Sequence, residues 1–150
     1  MSDSAVTRSA RARISGPGLV LVIVYAILFL AATGRSFYQM ATRFDDAPLA
    51  YLLSALAALV YGVATVALLT GRNRLAWATI GFELVGVLVV GTLSLLAPGT
   101  LGMDSASPLG GQATVWSAYG AGYVFVPLVL PVLGLVWLAR QRQALKGGAA

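Results

Sequence analysis

The stretch LAWATIGFELVGVLVVGTLSLLAPGTLGM, residues 75–103, is 29 residues long and is interrupted by a single charge, Glu83. A helix crossing a bilayer needs about 20 largely apolar residues, so this run is long enough to span and to leave a polar connection behind. Three similar runs flank it. Residues 14–34 carry no charge over 21 positions, residues 47–71 none over 25, and residues 105–139 none over 35. The first part of the last run, SASPLGGQAT (residues 105–114), has the composition of a loop, so its helix is placed near Thr114. Trp116 and Trp137 then lie 21 residues apart, about 31 Å along a continuous helix, matching one indole at each face of a core roughly 30 Å thick.

The composition agrees with this reading. Hydrophobic residues make up 59% of the 150 positions and charged ones 10%, far from the balance of a soluble domain. The chain reads as an all-α polytopic membrane protein: four transmembrane helices in a bundle, spans at about 14–34, 47–71, 75–97 and 115–139, with basic tails at 1–13 and 141–150. Both tails are polar and small-residue rich, and are expected to be poorly ordered. With the N-terminus inside, Arg8, Arg11, Arg13, Arg72, Arg74, Arg140, Arg142 and Lys146 fall on the cytoplasmic side, and only Arg35 and Arg43 fall outside. That bias predicts both termini in the cytoplasm of a cell (inner) membrane. The net charge of +5 therefore serves topology rather than nucleic acid. One alternative is a secretory signal, with Arg8, Arg11 and Arg13 before an apolar core and the small-residue ending Ala32, Thr33, Gly34. Against it, Ala32, Ser36, Gln39 and Arg43 all fall within about 40° of Tyr25 on a helical wheel, which predicts a first helix continuing beyond Gly34.

The residues available for chemistry are few. The chain has no cysteine and no histidine, which removes disulfides, thiol catalysis, cysteine-type zinc sites and the commonest general base. No phosphate loop, nucleophile elbow or carboxylate pair within one span is present, so no catalytic, cofactor or metal site is assigned. Glu83 stands out because it lies about eight residues, or roughly 12 Å, inside its span. An acid at that depth must face protein or water, or be uncharged. Depth matching from the cytoplasmic ends makes Tyr25, Tyr61 and Thr65 its candidate partners. Thr79, Glu83, Val87, Val90 and Ser94 share one narrow face of the third span, with Gly86 beside them. The functional reading of Glu83 is a titrating or ion-coordinating site; the plain one is a neutral strut between helices.

Arg35, at the outer end of the first span, is about 15 Å beyond Glu83 and out of its reach. It either snorkels to the interface or holds an anionic group, with Gln39 and Arg43 one and two turns further along. Asp45 and Asp46 are expected to cap the second span, whose Pro48 suits the first turn. Ala50, Ser54, Ala58 and Gly62 form a ridge of small residues for close helix contact, read as internal to the bundle. Pro127 and Pro131, with Gly120, Gly122 and Gly134, predict a kinked fourth helix.

The segments ATGRSFYQMATRF (32–44), PLAYLLSALAALVY (48–61), FELVGVLVVGTLS (82–94) and VWSAYGAGYVFVPLVLP (115–131) resemble those of an uncharacterised actinobacterial family of small four-span integral membrane proteins. The nine Arg to one Lys suit such a source. The resemblance implies a four-helix membrane protein and brings no activity with it. It adds Tyr51, Trp116, Tyr123 and Pro127 to Arg35, Gln39 and Glu83 as candidates. The small multidrug exporters, of similar size, place their carboxylate in the first helix, where this chain has none. A non-enzymatic structural or accessory component of an envelope assembly is the leading expectation, with other membrane proteins or a second copy as partners in the lipid bilayer. A proton-linked carrier or channel acting as an oligomer through Glu83 is the alternative.

Overall fold

The computed structural model describes residues 16–102 and 114–148. Four long helices account for most of them: α1 (Pro17–Thr42), α2 (Pro48–Leu69), α3 (Asn73–Leu96) and α4 (Val126–Gly147). Among the described residues there is no strand. The basic positions 8, 11 and 13, and the centre of the loop before α4 with Asp104, lie outside the described residues.

Local chemistry sets the helix ends. Pro17 and Pro48 open α1 and α2 in the first turn, where the missing amide has no partner to lose. Gly71, at φ 65°, ends α2 in the left-handed conformation. The amide of Arg72 then bonds the carbonyl of Ala67, and that of Gly71 bonds Leu68, closing the carbonyls that the helix end would leave open. Asp45 and Asp46 do not cap α2. They sit in a 3-10 turn (Phe44–Asp46), and the capping position is Ala47, with no side-chain cap. The carboxylates fall one and two residues too early.

Helices α1, α2 and α3 are each long and apolar enough to cross a membrane. As its polar stripe predicts, α1 runs through Gly34 without a break as far as Thr42, eight residues beyond the end of the uncharged run. The fourth element differs from expectation. Its helix begins at Val126 rather than near residue 115, and its uncharged part, 126–139, is 14 residues or about 21 Å, too short for a span. The missing length comes from residues 114–125, a run of turns and a 3-10 stretch (Ser117–Tyr123) that meets α4 at 98°. Among the described residues three helices are thus long and apolar enough to cross a membrane, or four if this bent pair counts as one span. At the other end, α4 continues to Gly147, so residues 141–147 are helical rather than a loose tail, and the Arg142 guanidinium lies 5.7 Å over the Trp77 ring.

Helices α1 and α2 pack closely, and the small-residue ridge makes this possible. Ala50, Ser54 and Ala58 are buried, and the Phe29 ring fills the space that a side chain at Gly62 would need. The ridge therefore faces inward. Gly18 of α1 lies against Trp137 of α4, and Leu68, Gly71 and Asn73 line a cleft with Trp137 and Gln141. The start of α1, the α2–α3 turn and the end of α4 thus share one end of the molecule, which gathers Arg72, Arg74, Arg140, Arg142 and Lys146; Arg35 and Arg43 lie towards the other.

Candidate functional site

The interior is organised around the face of α3 that carries Glu83. Ile80, Glu83, Val87, Val90 and Ser94 are buried along it, and Glu83 has no solvent exposure at all. Tyr25 of α1, also fully buried, donates its hydroxyl to Glu83 Oε2 at 2.7 Å. The second carboxyl oxygen, Oε1, is buried and has no hydrogen-bond partner. Tyr61 of α2 lies beside the pair, its ring centroid 6.3 Å from that of Tyr25.

Of the three partners inferred from depth, the structure joins one directly to the carboxyl. Thr65 turns its hydroxyl back to the Tyr61 carbonyl at 2.7 Å, the intrahelical bond that threonine makes when no better acceptor faces it. The Tyr61 hydroxyl accepts instead from Trp116 Nε1 at 3.0 Å. Trp116 is therefore no interface aromatic. It is 2% exposed, with its ring pressed on Gly86 in the middle of α3. The 31 Å spacing from Trp137 assumed a continuous helix, and the break before Val126 removes that assumption.

The non-helical segment 114–125 is held by side chains of α3 and by its own turns. Ser94 Oγ accepts the Ala118 amide at 2.8 Å, and the Tyr119 hydroxyl meets Thr92 Oγ1 at 3.0 Å, with the Tyr119 ring over Gly91. The amides of Leu128 and Val129 both bond the Phe125 carbonyl, and Pro127 packs on Gly120. Four residues other than glycine, Ala118, Tyr119, Val124 and Phe125, adopt positive φ between 47° and 59°. Each costs on the order of 1–2 kcal/mol, so tertiary contacts rather than local preference hold this shape. Irregular backbone at membrane depth persists only where protein or water satisfies it, and α3 supplies that cover.

Register connects the two features. Gly134 of α4 faces Ile80 and the Tyr25 hydroxyl, and α4 runs antiparallel to α3. Three residues earlier on α4 and three later on α3 come Pro131 and Glu83. Pro131 has no amide for the Pro127 carbonyl, so a backbone acceptor is released close to the level of the buried carboxyl.

Arg35 does not reach this site. Ten residues beyond Tyr25, about 15 Å along α1, its guanidinium lies 6.0 Å from the Tyr123 ring centroid. Gln39 follows one turn later, half-buried, and Arg43 is exposed. Tyr51 is buried with Ala47 and Ala50 near the same end and takes no part in the Glu83 network. Among the described residues no group of three Asp or Glu side chains comes together to hold a metal ion. Trp116 and Ser94 are the members the depth argument did not name as partners of the network. Gly86 and Gly91 were the available signal, since each glycine leaves room on the helix surface where a large ring can seat. No protein-family model, curated protein or solved structure matches this chain.

Proposed function

We propose that the chain is a four-span bundle of the inner membrane, with both termini in the cytoplasm, working without enzymatic chemistry as a structural or accessory component of a cell-envelope membrane assembly. The observation that carries this reading is the filling of its interior. Glu83 is sealed from solvent, tied to α1 through Tyr25, and flanked by a Trp116–Tyr61 bond that links the broken segment to α2. Here a polar network acts as glue between helices that lipid gives no hydrophobic reason to associate. The clustering of Arg72, Arg74, Arg140, Arg142 and Lys146 at one end supports the orientation. Outward, α1 to α3 present apolar side chains such as Val20, Leu30, Leu59 and Val85, suited to lipid or to the spans of a partner.

Isolation in a gentle detergent, followed by intact-complex mass measurement, tests the assignment. A stoichiometric second membrane protein supports it, and a homo-oligomer alone that conducts protons overturns it.

A second reading draws on one specific observation, the unpartnered Oε1 of Glu83 beside a proline-broken helix. Under it, the protein is a small proton-linked carrier or channel acting as an oligomer, and Glu83 exchanges its proton at mid-depth.

A further inference from the structure

At the end of the molecule away from the basic cluster, two successive side chains of α1 are left with unmet polar atoms. Arg35 Nε is buried and donates to nothing, and Ser36, 4% exposed, has a buried Oγ with no partner. The Arg35 guanidinium rests against the Tyr123 ring, which supports its plane without accepting a hydrogen bond. Among the described residues Arg35 forms no ion pair; the nearby acids of the chain, Asp45 and Asp46, are exposed on the turn beyond α1.

Buried polar groups are ordinarily satisfied, and those that are not call for a ligand, an ion or a strain function. Here one unmet group is an N–H of a fixed cation and the other a hydroxyl able to donate. What completes them must bring acceptor oxygens and negative charge. A guanidinium fork fits phosphate oxygens two at a time, which an ammonium does not. The level on the helix narrows the class further. Phe37 and Tyr38, immediately after Ser36, are 76% and 60% exposed, the placement of aromatic side chains in the headgroup layer at a membrane surface.

We propose that Arg35 and Ser36, backed by Tyr123, form a binding site for a phosphate-type oxyanion, a site independent of the Glu83 network. The same chemistry is offered by the headgroup of an anionic phospholipid and by free phosphate.

Native mass spectrometry of the detergent-solubilised full chain tests this, using phosphatidylglycerol, diacylglycerol as the phosphate-free control, and inorganic phosphate. The site predicts that phosphatidylglycerol binds and diacylglycerol does not. Arg35→Gln weakens binding at least about tenfold and Ser36→Ala weakens it less, while Arg43→Gln, an exposed arginine two turns along the same end, leaves it unchanged. Protection of the parent, but not of Arg35→Gln, against thermal unfolding by inorganic phosphate alone would equally support the site and identify a soluble source. Should Arg35→Gln fail to fold, Ser36→Ala removes only the buried hydroxyl and carries the same comparison. Equal binding of diacylglycerol, an Arg43→Gln loss as large as that of Arg35→Gln, or parent-like binding by both Arg35→Gln and Ser36→Ala overturns the proposal.

Discussion

Replacing Gly86 by alanine tests whether the broken segment is clamped on α3. A Cβ at this position would lie 2.7 Å from Trp116 Cζ3 and 2.8 Å from Cη2, whereas ordinary contact begins at 3.4 Å, so about 0.7 Å must be found. The ring has little freedom to give way, since its Nε1 is bonded to the Tyr61 hydroxyl and its backbone amide to Thr114 Oγ1 at 2.9 Å. Overpacking costs about 1–3 kcal/mol, and a ring that moves strands a buried indole donor at a further 1–3 kcal/mol or so. Alanine returns about 1 kcal/mol of helix propensity, leaving a net loss near 3 kcal/mol. Gly81, on the same helix, is the control, because nothing lies within 4 Å of its Cβ position. Gly81→Ala should keep the propensity gain, so the two variants should melt roughly 8–16 °C apart in detergent, followed by circular dichroism. A Gly86→Ala protein that melts with or above Gly81→Ala would refute the seating of Trp116 on α3.

Three further outcomes follow from the same contacts. Gly62→Leu should part α1 from α2, because even its Cβ would fall 2.9 Å from Phe29 Cε2, and should melt well below Gly34→Leu, where the space is open. Trp116→Phe removes the indole bond to the Tyr61 hydroxyl and should cost about 1–3 kcal/mol in detergent unfolding, more than Tyr119→Phe, whose bond to Thr92 is only partly buried. Reporter fusions at Ala150 and near Gly110 should place the former in the cytoplasm and the latter outside; an external Ala150 would contradict the four-span topology.

How far the sequence reaches can be seen residue by residue. Run lengths located α1, α2 and α3, and depth counting paired Tyr25 with Glu83, because a straight helix converts residue number into depth. The ridge on α2 was equally readable, since small residues four apart share a face. That the fourth span bends was legible in Pro127, Pro131, Gly120 and Gly122; that its first part leaves the α-helix altogether was not. Positive φ is usually announced by glycine or asparagine, but Ala118, Tyr119, Val124 and Phe125 carry it here, imposed by contacts with α3 that no local pattern encodes. Trp116 misled for a related reason: its distance from Trp137 fits a bilayer only if the chain between is one helix. Only once the structure sets the helix start at Val126 does the count tell: residues 126–139 are 14, too few to cross. Thr65 shows the limit of depth matching, because level does not decide whether a hydroxyl turns outward or back to its own helix.

The central claim is that Glu83 ties helices together rather than carrying protons, and proton flux into liposomes by the parent and by Glu83→Gln tests it most directly. Glutamine keeps the shape and can still accept from Tyr25, whereas Glu83→Leu strands that hydroxyl at about 1–3 kcal/mol and serves as the structural control. The account predicts no pH-driven flux from either the parent or Glu83→Gln, with Glu83→Gln melting near the parent and Glu83→Leu below both. Flux through the parent that disappears in a well-folded Glu83→Gln protein would contradict it and install the carrier reading instead.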